Sequence, residues 1–127
     1  MILNENQIAK EVLDAAFKIH SFLGPGLFES GYESILMHEL KKRNFQVHAQ
    51  KPVPLEYDGL RFECAFRADL IVNSLVIIGA KSVEKLDLVH SKQLLTYVKL
   101  TDLRLGLLIN FGEAHLRDGI RRIVNKL

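Results

Sequence analysis

Two charged side chains, Asp69 and Lys81, stand where the sequence pattern favours apolar residues. Asp69 begins the apolar run Asp-Leu-Ile-Val, and Lys81 ends the run that starts at Leu75. Asn73-Ser74 is typical of a tight turn, so we expect two antiparallel neighbouring strands with both charges at one end of the hairpin. A carboxylate and a lysine placed together can hold a divalent metal ion and stabilise a phosphorane-like transition state, or form a plain salt bridge. The spacing alone leaves both interpretations open.

Further polar residues lie on predicted helices. Gln93 and Tyr97 are four residues apart, so they share one helix face. Their amide and hydroxyl can orient a lysine or bind phosphate, or form a half-exposed edge of the core. Glu29 begins another predicted helix, where its carboxylate complements the helix dipole. His90 lies at the start of the third predicted helix, where its ring can reach a phosphate or cap the helix.

Other residues argue against several kinds of site. The five histidines lack the spacing of a zinc motif. The single cysteine, Cys64, excludes an internal disulfide framework and favours a reducing compartment, and we interpret it as a packed strand residue. Gly24-Pro25-Gly26 predicts a turn rather than a phosphate cradle, because Pro25 has no N–H to donate.

Length and composition predict one domain over residues 1–127. The chain is 48% hydrophobic and 25% charged, which is ordinary for a globular protein. A net charge of +2 is too balanced to require a polyanionic partner and does not exclude one. The sequence shows neither a signal-peptide pattern nor an apolar run of the roughly 20 residues that cross a bilayer. We therefore expect a cytoplasmic protein with no membrane contact.

The hydrophobic periodicity predicts an α/β fold with the element order α-α-β-β-β-β-α-β-α, a mixed sheet flanked by helices. The N-terminal helix begins after Asn4 and buries Ile8, Val12, Ala15, Ala16 and Ile19. The remaining predicted elements are a helix over 29–43, strand segments at 45–50, 53–57, 60–66, 68–72 and 75–78, a helix over 90–100, a strand over 105–111 and a terminal helix over 118–126.

Several motifs, in order along nearly the whole chain, resemble a known family. The segment from Gly26 to Tyr32, Gly-Leu-Phe-Glu-Ser-Gly-Tyr, fits the GxxExxY signature of small bacterial proteins that bear that name. Further matches are Arg67-Ala68-Asp69-Leu70, the strand ending in Lys81, the Gln93–Tyr97 helix segment, the Gly106–Gly112 strand and Gly119-Ile120-Arg121-Arg122. This family is assigned to the PD-(D/E)xK nuclease-like superfamily. The resemblance implies a restriction-endonuclease-like core and hydrolysis of phosphodiester bonds, usually of DNA, with Mg²⁺ or Mn²⁺.

The resemblance also implies roles for individual residues. Asp69 is similar to the metal-binding aspartate, and Lys81 to the lysine that positions the attacking water or stabilises developing charge. Gln93 and Tyr97 match the QxxxY motif of the RecB-like branch. Glu29 matches a helix glutamate that helps to hold the metal.

The backbone carbonyl of Ala80 is a further metal ligand that the resemblance implies. Lys85 and Lys92 are expected to line the approach of the nucleic-acid backbone, whereas Lys99 fits a solvated helix face better. A homodimer is a further possibility, since small domains of this superfamily often pair to cut two strands.

One position departs from the family pattern. The strand normally ends Glu-x-Lys, and here it reads Gly79-Ala80-Lys81, so Gly79 stands where the second metal-binding carboxylate belongs. Three explanations are open: a naturally degenerate nuclease, a deliberate disabling substitution, or migration of the carboxylate to Glu63 or Glu84. Two functions follow. One is a metal-dependent nuclease, active or recently active, that acts on DNA. The other is a catalytically inactive nuclease-fold domain used for nucleic-acid binding or protein association.

Overall fold

The computed structural model describes residues 2–127 and contains a five-stranded mixed sheet flanked by helices. The helices are α1 (Glu5–Leu23), α2 (Glu29–Lys42) and α3 (Leu88–Leu100), and the strands are β1 (Val47–Tyr57), β2 (Leu60–Val72), β3 (Val76–Lys81), β4 (Leu105–Asn110) and β5 (Ile120–Val124). A 3-10 helix, Leu116–Gly119, precedes β5. This α/β architecture is the predicted fold class and is consistent with a restriction-endonuclease-like core.

The sheet follows chain order, β1-β2-β3-β4-β5, so that β1 and β5 form its two edges. Only the β3–β4 pair is parallel, and α3 makes the crossover that a parallel connection needs. Helices α1 and α2 cover one face of the sheet, and α3 covers the other. Strand β4 is buried along its whole length because both faces are covered.

Helix α1 confirms its predicted start and buried face. Asn4 Oδ1 accepts the Gln7 N–H, and Gln7 Oε1 accepts the Asn4 N–H, each at 2.9 Å. This reciprocal pair satisfies two backbone donors at the helix start. The apolar stripe, Ile8, Val12, Ala15, Ala16 and Ile19, is buried as predicted.

The β1–β2 hairpin is longer than predicted, so three strands rather than four precede α3. The backbone pairing continues through Lys51 opposite Ala68 and Pro52 opposite Arg67. The predicted breaks at these positions were wrong, because polar residues and an edge proline interrupt the apolar pattern without interrupting the pairing. A register shift between Val53 and Leu55 surrounds the second proline of β1.

The predicted terminal helix over 118–126 was wrong. Its first residues form the 3-10 helix, and Ile120–Val124 pairs with β4 as an antiparallel edge strand. A stretch this short fits both the helical and the strand period. The free backbone groups of β4 decide the outcome, because a buried strand edge must be paired.

Two smaller findings concern exposure. Cys64 lies on β2, but it is exposed, so the prediction that it packs in the core was wrong. The half of the hairpin near its turn carries mostly exposed residues on both strands.

Within residues 2–127, none of the helices meets the length and hydropathy requirements of a membrane span.

Candidate functional site

A cleft of about 150 Å³ lies between β2, β3 and α3. Its polar lining residues are Arg67, Asp69, Lys81, His90, Gln93 and Tyr97, together with the backbone at Gly79. Ile77, Leu94 and Leu108 form its apolar wall. Asp69, Lys81, Gln93 and Tyr97, which were predicted from spacing and resemblance, are therefore brought together in one place.

Asp69 lies where the pairing of β2 with β3 stops. The last backbone pair is Leu70 with Ile78, so Asp69 and Gly79 come next and face each other. Asp69 Oδ2 accepts the N–H of Ala80 at 3.0 Å. Burial raises the pKa of Asp69, while the Ala80 hydrogen bond and the charge of Lys81 oppose that rise.

Lys81 forms its salt bridge with Glu29 rather than with Asp69. Lys81 Nζ lies 3.6 Å from Glu29 Oε1, with side chains 29% and 45% exposed. A pair this exposed contributes at most about 1 kcal/mol to stability. The pair shows that the first residue of α2 lies beside Lys81, at the edge of the cleft.

Tyr32 fixes the loop that precedes α2. Its hydroxyl donates to the Gly24 carbonyl and accepts the N–H of Leu27, the latter at 3.0 Å. The buried ring stacks on Phe111, with centroids 4.5 Å apart and planes 7° from parallel. Tyr32, the last residue of the segment from Gly26 to Tyr32, therefore fixes the backbone just before Glu29.

A second set of contacts fixes the chain just after Lys81. Ser82 Oγ donates to the carbonyl of Leu27 at 2.6 Å, which attaches the end of β3 to the loop before α2. The fully buried Asn110 accepts the N–H groups of Val83 and Gly112 through Oδ1 and donates to the Val83 carbonyl through Nδ2. These contacts hold Lys81 beside α2. The sequence analysis assigned no such role to Asn110, although an amide that ends an otherwise apolar strand is a usable signal.

Helix α3 supplies the opposite wall of the cleft. Tyr97 stacks on Phe66, with ring centroids 3.7 Å apart and planes 8° from parallel. His90 Nδ1 accepts the N–H of Asp87 at 3.1 Å and so caps the helix. Close packing of α3 on β4 requires Gly106, because a Cβ there would lie 2.8 Å from Val98 Cγ2.

Glu33 and Gln50 join the acidic side of the site, and the sequence analysis missed both. Gln50 Nε2 donates to Glu33 Oε1 at 2.8 Å. Burial raises the pKa of Glu33, the hydrogen bond from Gln50 opposes that rise, and the charges of Asp69 and Glu29 add to it. Glu33 lies one helical turn after Glu29, a usable signal. No feature of the sequence indicated Gln50, because its left-handed backbone conformation, with φ of 52°, is seen only in the folded structure.

Gly79 leaves open the space where a carboxylate would project. A Cβ there would meet one neighbouring atom within 4 Å, the Cδ1 atom of Leu108 at 3.3 Å. Neither Glu63 nor Glu84 lines the cleft, and Glu63 instead forms a salt bridge with Arg61 at 2.8 Å.

The cleft does not form a metal-binding cluster. Across residues 2–127, no group of three or more histidine, cysteine, aspartate or glutamate side chains is arranged so that it could hold a metal ion. Asp69 is the only described carboxylate that lines the cleft. Ala80 is fully buried, and its N–H is bonded to Asp69. Lys85 and Lys92, predicted to line the approach of the nucleic acid, are exposed and lie outside the cleft lining, and Lys99 is exposed on α3.

Comparison with protein families gives one match. A family model described as the PD-(D/E)XK nuclease superfamily matches residues 6–123, which is nearly the whole chain. Neither the curated proteins nor the solved structures gave a match. The match covers every residue that lines the cleft.

Proposed function

Because the chain belongs to the PD-(D/E)XK nuclease superfamily, we propose that its cleft binds the phosphate backbone of DNA without hydrolysing it. One observation supports this proposal above the others. Gly79 faces Asp69 at the point where the superfamily pattern has a second carboxylate, and the position is not filled by another acidic side chain among residues 2–127. The site therefore keeps its donors and lacks a metal-binding pair.

The missing carboxylate matters because of the chemistry of phosphodiester hydrolysis. Nucleases of this superfamily generally use divalent metal ions, and such ions neutralise the charge that develops in the transition state. Mg²⁺ favours a near-octahedral set of oxygen ligands, usually with one or two carboxylates. Here Asp69 supplies one carboxylate, and one of its oxygens already accepts the Ala80 N–H. The cleft lining therefore supplies one carboxylate with one oxygen already engaged, which is fewer acidic ligands than the superfamily pattern provides.

The remaining polar side chains suit binding. Lys81 supplies a positive charge, and Gln93 and Tyr97 supply neutral donors on the opposite wall. Donors of this kind bind the non-bridging oxygens of phosphate, with the charged donor stronger than the neutral ones.

Nothing in the packing requires glycine at position 79. The one close neighbour of a new Cβ is the end of the flexible Leu108 side chain. Side chains of directly opposed antiparallel residues have Cβ atoms roughly 5 Å apart. A glutamate at position 79 would therefore place its carboxylate near Asp69 and complete the pair.

The test compares the chain with Gly79→Glu and the matched Gly79→Gln in Mg²⁺ and in Mn²⁺, with single- and double-stranded DNA as substrates. We expect all three proteins to bind DNA and only Gly79→Glu to cut it, about a hundredfold or more above the others. Adding Asp69→Asn to the Gly79→Glu protein should abolish the cutting. Cleavage by the unaltered chain at the rate of Gly79→Glu would contradict the proposal, and so would an inability of the unaltered chain to bind DNA.

A second candidate function is hydrolysis of DNA by the chain as it stands. In that case Asp69, Glu29 and the Ala80 carbonyl would hold Mg²⁺ or Mn²⁺, while Lys81 would assist the reaction. The observation that favours it is the contact between Glu29 and Lys81, which brings a second carboxylate to the edge of the cleft. A homodimer and a cytoplasmic location stay predictions.

A further inference from the structure

Arg67 lines the cleft and was not assigned a role by its spacing. It lies on β2, two residues before Asp69, and its backbone pairs with Pro52 of the edge strand. Within residues 2–127, Arg67 forms no salt bridge. Arg61 on the same strand, by contrast, is paired with two glutamates. The guanidinium group of Arg67 is thus available to donate two hydrogen bonds to a planar or tetrahedral anion.

His90 lies on the facing helix and has one ring nitrogen in use. Because Nδ1 accepts the Asp87 N–H, the neutral ring carries its proton on Nε2. The ring lines the cleft. The helix cap therefore orients His90 as a hydrogen-bond donor without requiring a positive charge on the ring.

The charge balance of the cleft favours an anion. Arg67 and Lys81 are two cationic side chains, and Asp69 is the one carboxylate among the described lining residues. With glycine at position 79, no second carboxylate among residues 2–127 lines the cleft, and Glu29 lies outside the lining, where it pairs with Lys81 and leaves Arg67 unpaired. The superfamily arrangement would place a carboxylate and its metal in the same space.

We infer that Arg67 and His90 form a phosphate-binding subsite that works without a metal ion. The subsite deepens the proposed function and rests on it, since it names the groups that hold the DNA backbone in this cleft. Arg67 donates from the β2 side and His90 from the α3 side. The ligand is a phosphate group, either an internal phosphodiester or a terminal phosphate of a nucleic acid.

The test measures affinity for a labelled single-stranded DNA oligonucleotide in EDTA, by fluorescence anisotropy over a range of salt concentrations. Arg67→Gln should weaken binding about tenfold and reduce the salt slope by about one phosphate contact. His90→Gln should weaken binding roughly fivefold, and a glutamine at this position keeps the helix cap. The affinity of Arg67→Lys should fall between those of the unaltered chain and Arg67→Gln, because lysine keeps the charge and lacks the paired donors of the guanidinium group.

Two matched controls separate the subsite from general charge and folding effects. Arg61→Gln removes the same charge from an exposed position on the same strand, and His48→Gln makes the same exchange on exposed β1. Both should change affinity less than twofold. Oligonucleotides with and without a 5′-phosphate identify the source of the phosphate: stronger binding of the phosphorylated form indicates a terminal group, and equal binding indicates the internal backbone.

Several results would overturn the subsite. One is equal affinity of the Arg67 and His90 variants and their controls, and another is binding that appears only when Mg²⁺ is added. If Gly79→Glu cuts DNA while Arg67→Gln and His90→Gln bind normally, the subsite is wrong and the proposed function stands. If the unaltered chain binds no DNA, both are wrong.

Discussion

Asp69 accepts a hydrogen bond from the backbone of Ala80 at 3.0 Å, one residue beyond its own cross-strand neighbour Gly79. A side-chain oxygen thus replaces the backbone acceptor where the β2–β3 pairing stops. This contact satisfies a buried donor, but it places a carboxylate where burial raises its pKa. The site keeps a charge that the fold alone would disfavour.

Asp69→Asn should raise the melting temperature at pH 7. The folded pKa of Asp69 lies above its ordinary value of 3.8, so between these two values the folded state binds more protons than the unfolded state. The stability that this group contributes is therefore fully present below about pH 3.8 and is lost as the pH rises through the pKa of the folded state. Asparagine keeps an acceptor for Ala80 and carries no charge.

The advantage of Asp69→Asn should shrink as the pH is lowered through that window, measured by thermal melts across acidic and neutral buffers. Asp102→Asn, on an exposed turn, is the control. A melting temperature of Asp69→Asn below that of the unaltered chain at pH 7 would refute this prediction.

Tyr32→Phe should lower the free energy of unfolding by about 1–3 kcal/mol, because it removes two hydrogen bonds and leaves the Leu27 N–H without its partner. The stacking on Phe111 is retained. Urea denaturation measures the loss, and Tyr57→Phe at a 74% exposed position should show none. Equal stability of the two variants would mean that Tyr32 acts through its ring alone.

Asn110→Ala should destabilise the protein by about 3 kcal/mol or more. The substitution leaves partly buried backbone groups of Val83 and Gly112 unpaired and removes a fully buried side chain. The segment after Lys81 should also exchange its amide hydrogens faster, which hydrogen-exchange mass spectrometry can localise. A loss under about 1 kcal/mol would show that water replaces the amide at this position.

Gly79→Ala and Gly106→Ala should have opposite effects. A Cβ at position 79 meets only the tip of Leu108, and glycine inside a strand is unfavourable, so the change should be neutral or stabilise by up to about 1 kcal/mol. A Cβ at position 106 lies 2.8 Å from Val98 Cγ2 and should cost about 1–3 kcal/mol. Denaturation curves of both proteins test the pair, and a large loss in Gly79→Ala would mean that packing requires this glycine.

The sequence predicted best where regular spacing decides the geometry. The four-residue interval between Gln93 and Tyr97 placed both on one helix face, and both line the cleft. The turn at Asn73-Ser74 brought Asp69 and Lys81 to one end of a hairpin. Local rules suffice for such relationships.

The sequence predicted least where distant segments choose between alternatives. Lys81 pairs with Glu29 because Ser82 and Tyr32 hold the loop before α2, and no spacing rule contains that contact. The terminal segment became strand β5 because β4 offered a free edge. Gln50 reaches Glu33 through a backbone conformation that its residue type does not favour.

The edge strands bear on how copies of this protein can meet. An open sheet edge is a template on which another chain can add a strand, and such addition leads to aggregation. Pro52 and Pro54 lack N–H groups on β1, and β5 is five residues long with exposed Arg121 and Arg122. Concentrated solutions should therefore resist the edge-to-edge joining of sheets from different copies.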